Sequence, residues 1–198
     1  MPQNLPSSFF RRETECVAQE LLGKVLCRRV NDAILKCRIV ETEAYLPVDD
    51  DACHASKKKT PKNEVMFEQA GTVYVYAIHG RYCVNFVTEE VDLGCAVLVR
   101  AAEPLCGLSV MSENRNNDKE TELLSGPAKL CQALGIDKSL NGKKLSKGEG
   151  IWLLDDGFDL PSEQVKTTSR IGVTSAKERQ LRYVVRNSDF ASGPKFMR

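Results

Sequence analysis

The sequence predicts a single α+β domain, in which a curved, mainly antiparallel β-sheet core has flanking helices and a protruding β-hairpin. Two stretches, 25–45 and 71–87, each contain two strand-like halves joined by a short turn, which is the pattern of an antiparallel hairpin. An almost continuous apolar run at 95–102 adds a central strand. With 198 residues and 42% apolar content, the chain can bury one substantial core. We therefore assign residues 1–198 to one domain, with a loose tail from about residue 189.

The first predicted helix covers residues 13–22, where apolar side chains recur at helical spacing and a glycine follows. Strands at 25–30 and 34–45 come next and pair around a turn at 31–32. The following segment, residues 46–69, is polar, lysine-rich and contains two prolines. This composition predicts a long surface excursion with a short helical piece, and loops of this length are often functional.

The second hairpin has its tip at residues 79–81. Tyr74, Tyr76 and Ile78 share one strand face, and aromatic ladders of this kind usually belong to a core. A core role does not explain the tip, where a histidine ring lies beside an arginine. That combination suits insertion between stacked bases with a phosphate nearby.

Arg100 interrupts the apolar run of the central strand, so its guanidinium needs a partner. The partner is either a core acid, Glu43 or a backbone phosphate. Pro104 is predicted to open a helix that ends near Met111. The polar residues 114–122 are predicted to form a mobile loop.

Residues 125–135 predict a short helix, because they combine a serine cap, a proline in the first turn and a terminal glycine. The N-terminus of this helix and Lys129 form a candidate anion site. Further strands are predicted at 151–154 and 181–186. Between them, residues 169–175 offer hydroxyl and amide donors for a phosphate, although a turn explains them equally well.

The stretch RIVETEAY, residues 38–45, places two acids on a strand. The apolar stripe of the strand continues with the same parity into Glu41 and Glu43, so both should face the buried side. Burying an unpaired carboxylate is unfavourable by several kcal/mol. Either the strand bulges and turns the acids to water, with a surface ion pair to Arg28 or Arg29, or the site keeps the charge for chemistry.

The composition of the chain argues against several classes of protein. The eight cysteines are scattered without a CxxC pair and no secretory segment precedes them, so we expect reduced thiols in an intracellular protein, located in a bacterial cytoplasm or nucleoid or in a eukaryotic nucleus. No apolar run approaches the roughly 18 residues of a membrane span. There are two histidines and no HExxH, which argues against a zinc site. The net charge of +1 argues against binding nucleic acid by bulk electrostatics, although lysines cluster at 57–62 and 143–147.

Several motifs together resemble the alkyladenine DNA glycosylases, the 3-methyladenine glycosylase family of base-excision repair. They are RIVETEAY, the acidic loop ending at His54, TPKNEVMF with GTVYVY, the hairpin ending at Asn85, VLVRAAEP, SGPAKLCQALG and RIGV. The resemblance runs from about residue 9 to residue 186. It implies a monofunctional glycosylase, without metal or cofactor, that flips an alkylated or deaminated purine out of duplex DNA and hydrolyses its N-glycosidic bond.

The resemblance also implies roles for individual residues. Glu43 would deprotonate the water that attacks C1′ of the damaged nucleotide, and Arg100 would support that water and the target phosphate. The base pocket would place Tyr45 on one face of the flipped base and His54 with Tyr76 on the other. Asn85 would crowd the position of the exocyclic amine of guanine.

The DNA contacts implied by the resemblance are His79, Arg81, Thr60 and Lys129. His79 corresponds to the wedge that fills the gap left by the flipped base. The family pattern has tyrosine there, and histidine is a smaller platform whose charge depends on pH. The expected partner is double-stranded DNA that contains a damaged purine, bound by a monomer.

Two other function classes are compatible with parts of the sequence. A non-catalytic damaged-base binder would need the same pocket but has no use for the acid at Glu43. A small-nucleoside hydrolase would need the acid but has no use for the exposed wedge or the basic loops.

Overall fold

The computed structural model of the protein describes residues 2–194. Within this range nine β-strands form one open antiparallel sheet accompanied by five α-helices, which confirms the predicted α+β class. The strands are β1 (Gln3–Asn4), β2 (Val25–Val30), β3 (Ala33–Tyr45), β4 (Val73–Ile78), β5 (Arg81–Thr88), β6 (Cys95–Cys106), β7 (Ile151–Asp155), β8 (Val165–Thr168) and β9 (Arg182–Val185). The α-helices are α1 (Ser7–Phe10), α2 (Thr14–Glu20), α3 (Leu108–Arg115), α4 (Glu120–Leu123) and α5 (Pro127–Ala133). Short 3-10 helices lie at Glu64–Phe67, Lys138–Leu140 and Ser162–Gln164.

Strand β3 is the centre of the sheet. One of its edges pairs with β6 along nearly its whole length. On the other edge, β2 pairs with the first half of β3, and β9 pairs with residues 41–43. The continuous strand order is β1-β7-β2-β3-β6-β5-β4, with β8 attached to β9. The two acids of the RIVETEAY motif therefore lie where β9 takes the place of β2.

Both predicted hairpins are present. The β2–β3 turn contains Asn31 with φ 52°, and the β4–β5 turn contains His79 with φ 49° and Gly80 with φ 73°. Left-handed backbone conformations of this kind match the twist of the flanking strands in two-residue hairpin loops. Residues 77–80 are exposed, so the tip of the second hairpin projects from the sheet.

A bulge in β3 decides which side chains face the main core. Before the bulge, Ile39 packs in that core. The register of β3 against β6 then shifts on both sides of Glu41. Beyond the shift, Thr42 donates to a backbone carbonyl of α2 at 2.7 Å and Ala44 packs in the main core. The parity of the strand has reversed, so Glu43 lies on the opposite face from Ile39, and the prediction that the acids continue the apolar stripe is wrong.

The predicted helix from Pro104 to Met111 is wrong at its start. Strand β6 continues through Pro104, which pairs with Cys37 beside a register shift. Proline cannot donate to a strand ladder, so it is tolerated at such an irregularity. Helix α3 begins after Gly107, whose φ of 84° ends the strand.

Two further sequence expectations differ from the structure, and three short elements were not expected. The region 114–122 contains the end of α3 and the start of α4, so it is not loop throughout. Helix α5 has Gly126 before its first turn and no side-chain cap, so the predicted serine cap is wrong. Ser125 instead forms an isolated β-bridge with Ala101. The short elements β1, α1 and β8 were not predicted, because two to four residues carry too little periodicity.

The C-terminal segment packs onto the core within its described part. Ala191 and Ser192 are buried, and the Ser192 backbone N–H donates to Glu41 Oε2 at 2.6 Å. The remainder of the predicted tail, residues 195–198, lies outside the described residues. At 191–192 the segment is therefore anchored to β3.

The cysteines are free thiols, six of them buried and two exposed. Burial raises the pKa of Cys53 to about 11, so this thiol is protonated near neutral pH. Across residues 2–194, no helix has the length and apolar character that crossing a bilayer requires. The same range contains no group of three or more His, Cys, Asp or Glu side chains suited to a metal ion.

We predict that Gly94→Ala destabilises the fold more than Gly157→Ala. Both glycines have left-handed φ, at 81° and 83°. A methyl group at Gly94 would lie 2.7 Å from the Ala55 side chain and 2.9 Å from Phe67, whereas nothing lies within 4 Å at Gly157. Overpacking should lower the free energy of unfolding by about 1–3 kcal/mol beyond the backbone strain that the two variants share. Urea unfolding measures the difference, and equal losses in the two variants would contradict it.

Candidate functional site

A cavity of about 420 Å³ opens on the face of the sheet opposite the main core. It lies against the ends of β3 and β4, the loop after β3 and residues 171–175. Its volume falls within the range of small-molecule sites. Five of the residues that the sequence singled out line it together: Tyr45, His54, Tyr76, Asn85 and Arg100.

One row of side chains across the sheet supports this cavity. Arg182 in β9 lies opposite Glu43 in β3, and Glu43 lies opposite Leu98 in β6. Leu98 lies opposite Asn85 in β5, which in turn lies opposite Tyr74 in β4. Directly opposed residues of antiparallel strands point to the same face, so four strand pairings bring these five side chains side by side.

Glu43 lies directly behind the cavity wall. Its carboxylate accepts hydrogen bonds from the Tyr45 hydroxyl at 2.8 Å and the Ile171 backbone N–H at 2.8 Å, and Arg100 Nη1 lies 3.1 Å from Oε1. The side chain is fully buried and does not itself line the cavity, whereas its three partners do. Burial and the Glu43 carboxylate raise the pKa of Tyr45 well above its ordinary value, so the hydroxyl keeps its proton and donates.

Arg100 joins the two acids of the motif. Its Nε donates to Glu41 Oε1 at 2.8 Å while its Nη1 contacts Glu43. Burial opposes the charge of this guanidinium, but the Glu43 and Glu41 carboxylates raise the pKa of Arg100 above its ordinary value. Both carboxylates are fully buried, so the alternative of acids turned to water beside Arg28 or Arg29 is wrong.

Sequence reasoning missed the second arginine of this cluster. Arg182 Nε donates to Glu41 Oε1 at 2.7 Å, and the Ser192 hydroxyl donates to the same oxygen at 2.8 Å. Arg182 lies within the predicted strand 181–186, where a charged residue among apolar neighbours signals a buried partner. No sequence signal indicated Ser192, because it reaches Glu41 from a segment that forms no regular element.

A second buried ion pair, also missed, lies under Tyr45. Arg170 Nη1 lies 2.7 Å from Asp50 Oδ2, its Nη2 contacts Asp50 Oδ1, and its Nη1 also donates to the Ala44 carbonyl at 3.0 Å. The carbon of the guanidinium lies 4.6 Å from the centroid of the Tyr45 ring. Asp50 lies in the acidic loop and Arg170 in the RIGV motif. Their ion pair therefore links these two segments beside the cavity.

The aromatic wall of the cavity comes from β4 and the loop that carries His54. The Tyr74 hydroxyl lies 2.9 Å from His54 Nδ1, and the rings of His54 and Tyr76 meet edge to face at 4.6 Å and 80°. Two rings at this angle cannot both lie flat on one base. The Asn85 side-chain amide donates to the Tyr74 carbonyl at 3.1 Å, which fixes its orientation in the wall.

The four expected DNA contacts lie outside the cavity. His79 and Arg81 are exposed at the hairpin tip. Thr60 lines a neighbouring cavity of about 550 Å³ that shares His54, Tyr74 and Tyr76 with the first. Lys129 follows Pro127, a residue of the cavity lining, by two positions in the sequence. Its ammonium group lies 3.4 Å from the Ser125 hydroxyl.

The chain is similar to known proteins over most of its length. Residues 8–189 match the family model described as Methylpurine-DNA glycosylase (MPG). A protein of Natranaerobius thermophilus named "Putative 3-methyladenine DNA glycosylase" is 43% identical over 195 residues, covering 95% of this chain and 98% of its own. A protein with the same name from Chlorobium phaeobacteroides is 43% identical, covering 95% and 96%. An Encephalitozoon cuniculi protein named "Probable DNA-3-methyladenine glycosylase" is 42% identical, covering 89% and 86%.

We predict that His54 titrates below its ordinary pKa of 6.5, because desolvation of its ring lowers the pKa. The folded protein then binds this proton less readily than the unfolded chain. Stability should therefore fall as the pH drops from 6.5 through the lowered pKa, and should not depend on this group above 6.5. An NMR titration of the ring in His79→Gln, which retains one histidine, measures the midpoint. A midpoint at or above 6.5 would contradict the assignment, and His54→Gln should remove its share of the pH dependence.

Proposed function

The chain belongs to the methylpurine-DNA glycosylase family, and from this premise we propose that it is a monofunctional 3-methyladenine DNA glycosylase of base-excision repair. It flips an alkylated or deaminated purine out of duplex DNA and hydrolyses the N-glycosidic bond, leaving an abasic site. The observation that carries this proposal is the Glu43 carboxylate, which is held by three donors directly behind a purine-sized aromatic cavity.

In the proposed mechanism Glu43 Oε2 takes the proton of the attacking water. Oε1 already accepts from Ile171 and contacts Arg100, whereas Oε2 accepts from the Tyr45 hydroxyl and retains a further acceptor position. The water attacks C1′ as the C1′–N bond breaks, and the bond electrons leave with the base. A carboxylate at this place both activates the water and stabilises the oxocarbenium-like sugar.

The aromatic lining supports a preference for electron-poor purines. Tyr45, Tyr74 and Tyr76 all line the cavity. A positively charged alkylpurine on the face of a tyrosine ring gains cation–π attraction of roughly 0.5–2 kcal/mol. Such a base also leaves without being protonated. Neutral purines such as hypoxanthine need a proton as they depart, so we place them second in the order of substrates.

The two alternative functions are disfavoured by particular features. A non-catalytic damaged-base binder gains nothing from Glu43, because flipping a base and stacking it on aromatic rings need no general base. A small-nucleoside hydrolase has no use for the exposed hairpin tip with His79 and Arg81. The salt dependence of binding separates a DNA glycosylase from a small-nucleoside hydrolase, because contacts to DNA phosphates weaken steeply with ionic strength and contacts to a nucleoside do not.

We predict that Glu43→Gln retains binding of lesion-containing duplex but loses at least about 100-fold in the rate of base release. Glutamine keeps the shape and hydrogen-bond acceptor while removing the base. Single-turnover base release and a gel-shift titration on one defined lesion measure the two properties. Tyr45→Phe is the companion variant, since it removes a donor to Glu43 but leaves the carboxylate, and should retain part of the rate. Base release by Glu43→Gln at the wild-type rate would refute the assigned role.

We predict that His79→Ala weakens duplex binding by about tenfold, since base stacking by an aromatic side chain contributes about 1–3 kcal/mol. Release of the base at saturating enzyme should change little, because His79 lies outside the cavity. Asn31→Ala is a matched control at the tip of the other hairpin, with φ 52° against 49° for His79. The wedge assignment fails if the two variants bind duplex equally well.

A further inference from the structure

One face of Tyr45 is occupied by a buried cation. The guanidinium carbon of Arg170 lies 4.6 Å from the ring centroid, and the Arg170 side chain has no exposed surface. Tyr45 lines the cavity and Arg170 does not. The guanidinium therefore covers the side of the ring turned away from the cavity, which leaves the other side for a flipped base.

The Asp50 carboxylate neutralises the positive charge of the Arg170 guanidinium. Both carboxylate oxygens contact the two terminal nitrogens of Arg170, and the Asp50 side chain is also fully buried. Backbone N–H groups of Leu46 and Ala52 donate to the same carboxylate. The support behind Tyr45 is thus a neutral ion pair, buried and held in one geometry by these hydrogen bonds.

An unbalanced charge at this place would act on the bound base. A base stacked on the free side of Tyr45 lies roughly 9 Å from the guanidinium, given ring separations of about 4.5 Å or more. Across a protein interior, a unit charge at that distance changes the affinity for a cationic ligand by on the order of tenfold. The affinity for a neutral ligand of the same shape changes far less. An unbalanced charge behind the ring would therefore change the affinity for cationic purines relative to neutral ones.

We propose that Asp50 is a specificity-determining positioning residue, which cancels the charge of Arg170 behind Tyr45 and so lets the cavity accept positively charged purines. The inference rests on the proposed function, since it concerns the choice among damaged bases at the same site. Asp50 acts through Arg170 and the ring, without contacting the base. Its effect is thus expected in the binding of cationic lesions relative to neutral ones.

The test compares Asp50→Asn with wild type on two duplexes, one carrying a cationic N-alkylated purine and one carrying hypoxanthine. Single-turnover assays give the half-saturating enzyme concentration and the maximal release rate for each. Asparagine keeps the shape of the side chain and leaves Arg170 charged. We expect the half-saturating concentration to rise about tenfold on the cationic lesion and less than about twofold on hypoxanthine.

Two further variants separate charge from structural damage. Arg170→Gln removes the cation. A buried Asp50 without it either stays ionised, which shifts the ratio between the lesions in favour of the cationic one, or takes up a proton, which leaves the ratio as in wild type. The double variant Asp50→Asn with Arg170→Gln removes both charges and should restore the wild-type ratio, even if both rates fall. Arg170→Gln also keeps the test decisive if Asp50→Asn does not fold.

The chain offers a matched control on another face. Arg38 Nη2 lies 2.8 Å from Asp156 Oδ2, and its guanidinium carbon lies 4.2 Å from the centroid of the Phe158 ring. Asp156→Asn therefore makes the same charge change in the same kind of stack, away from the cavity, and should leave the ratio unchanged.

Equal losses on both lesions in Asp50→Asn, together with a greater loss in the double variant, would overturn the proposal in favour of a purely structural role. A shift of the ratio toward hypoxanthine in Arg170→Gln would overturn it as well. Failure of the wild-type protein to release either base is a different outcome, because it overturns the proposed function and removes the premise.

Discussion

The site depends on a buried carboxylate, Glu41, that is shared by two guanidinium groups. Arg100 and Arg182 both donate to its Oε1, from β6 and β9, and Ser192 donates to both of its oxygens. A carboxylate in this position is tolerated only when its acceptor positions are filled, and leaving either arginine unpaired would be destabilising by about 3–5 kcal/mol. The cluster therefore fixes Arg100, and through Arg100 it fixes Glu43. A catalytic group needs a rigid neighbour of this kind to keep its geometry.

The bulge in β3 allows one strand to place apolar side chains in the main core and Glu43 with Tyr45 at the site on the opposite face. An unbroken alternation would send the side chains of Glu43 and Tyr45 into the main core with Ile39. The register shifts around Glu41 reverse the parity, so the core face continues with Thr42 and Ala44. The pairing of β9 with residues 41–43 fills the strand edge at the same place and supplies Arg182. Bulges beside active sites commonly re-aim side chains in this way.

The sequence predicted the sheet and both hairpins, because alternation and turn residues are local signals, and it singled out five of the residues that line the cavity. It placed Glu43 and Arg100 at the site, and the structure brings them within 3.1 Å. A bulge in this strand was one of the two alternatives that the sequence left open. The bulge is present, but the acids beyond the core face are buried instead of turned to water. Arg170 and Ser192 were not assigned roles in the site, because their partners Asp50 and Glu41 are distant in the sequence. Pairing between a loop and a strand depends on the completed fold, so no local pattern contains it.

The outer edge of strand β4 is covered near the base of the second hairpin and left uncovered at the tip. Strand β4 is at the end of the sheet order, and an uncovered edge invites pairing with other chains. The segment after the 3-10 helix at 138–140 covers it: Asn141 accepts from the Val75 backbone N–H, and backbone bonds join Val73 to residues 142 and 143. These bonds reach along the edge as far as Val75, and residues 77–80 beyond it are exposed. The hairpin is thus anchored along its base and free at its tip, so the tip projects without leaving a long exposed strand edge. The same anchoring holds Tyr74 and Tyr76 in the cavity wall, so the position of the tip is tied to the position of the pocket.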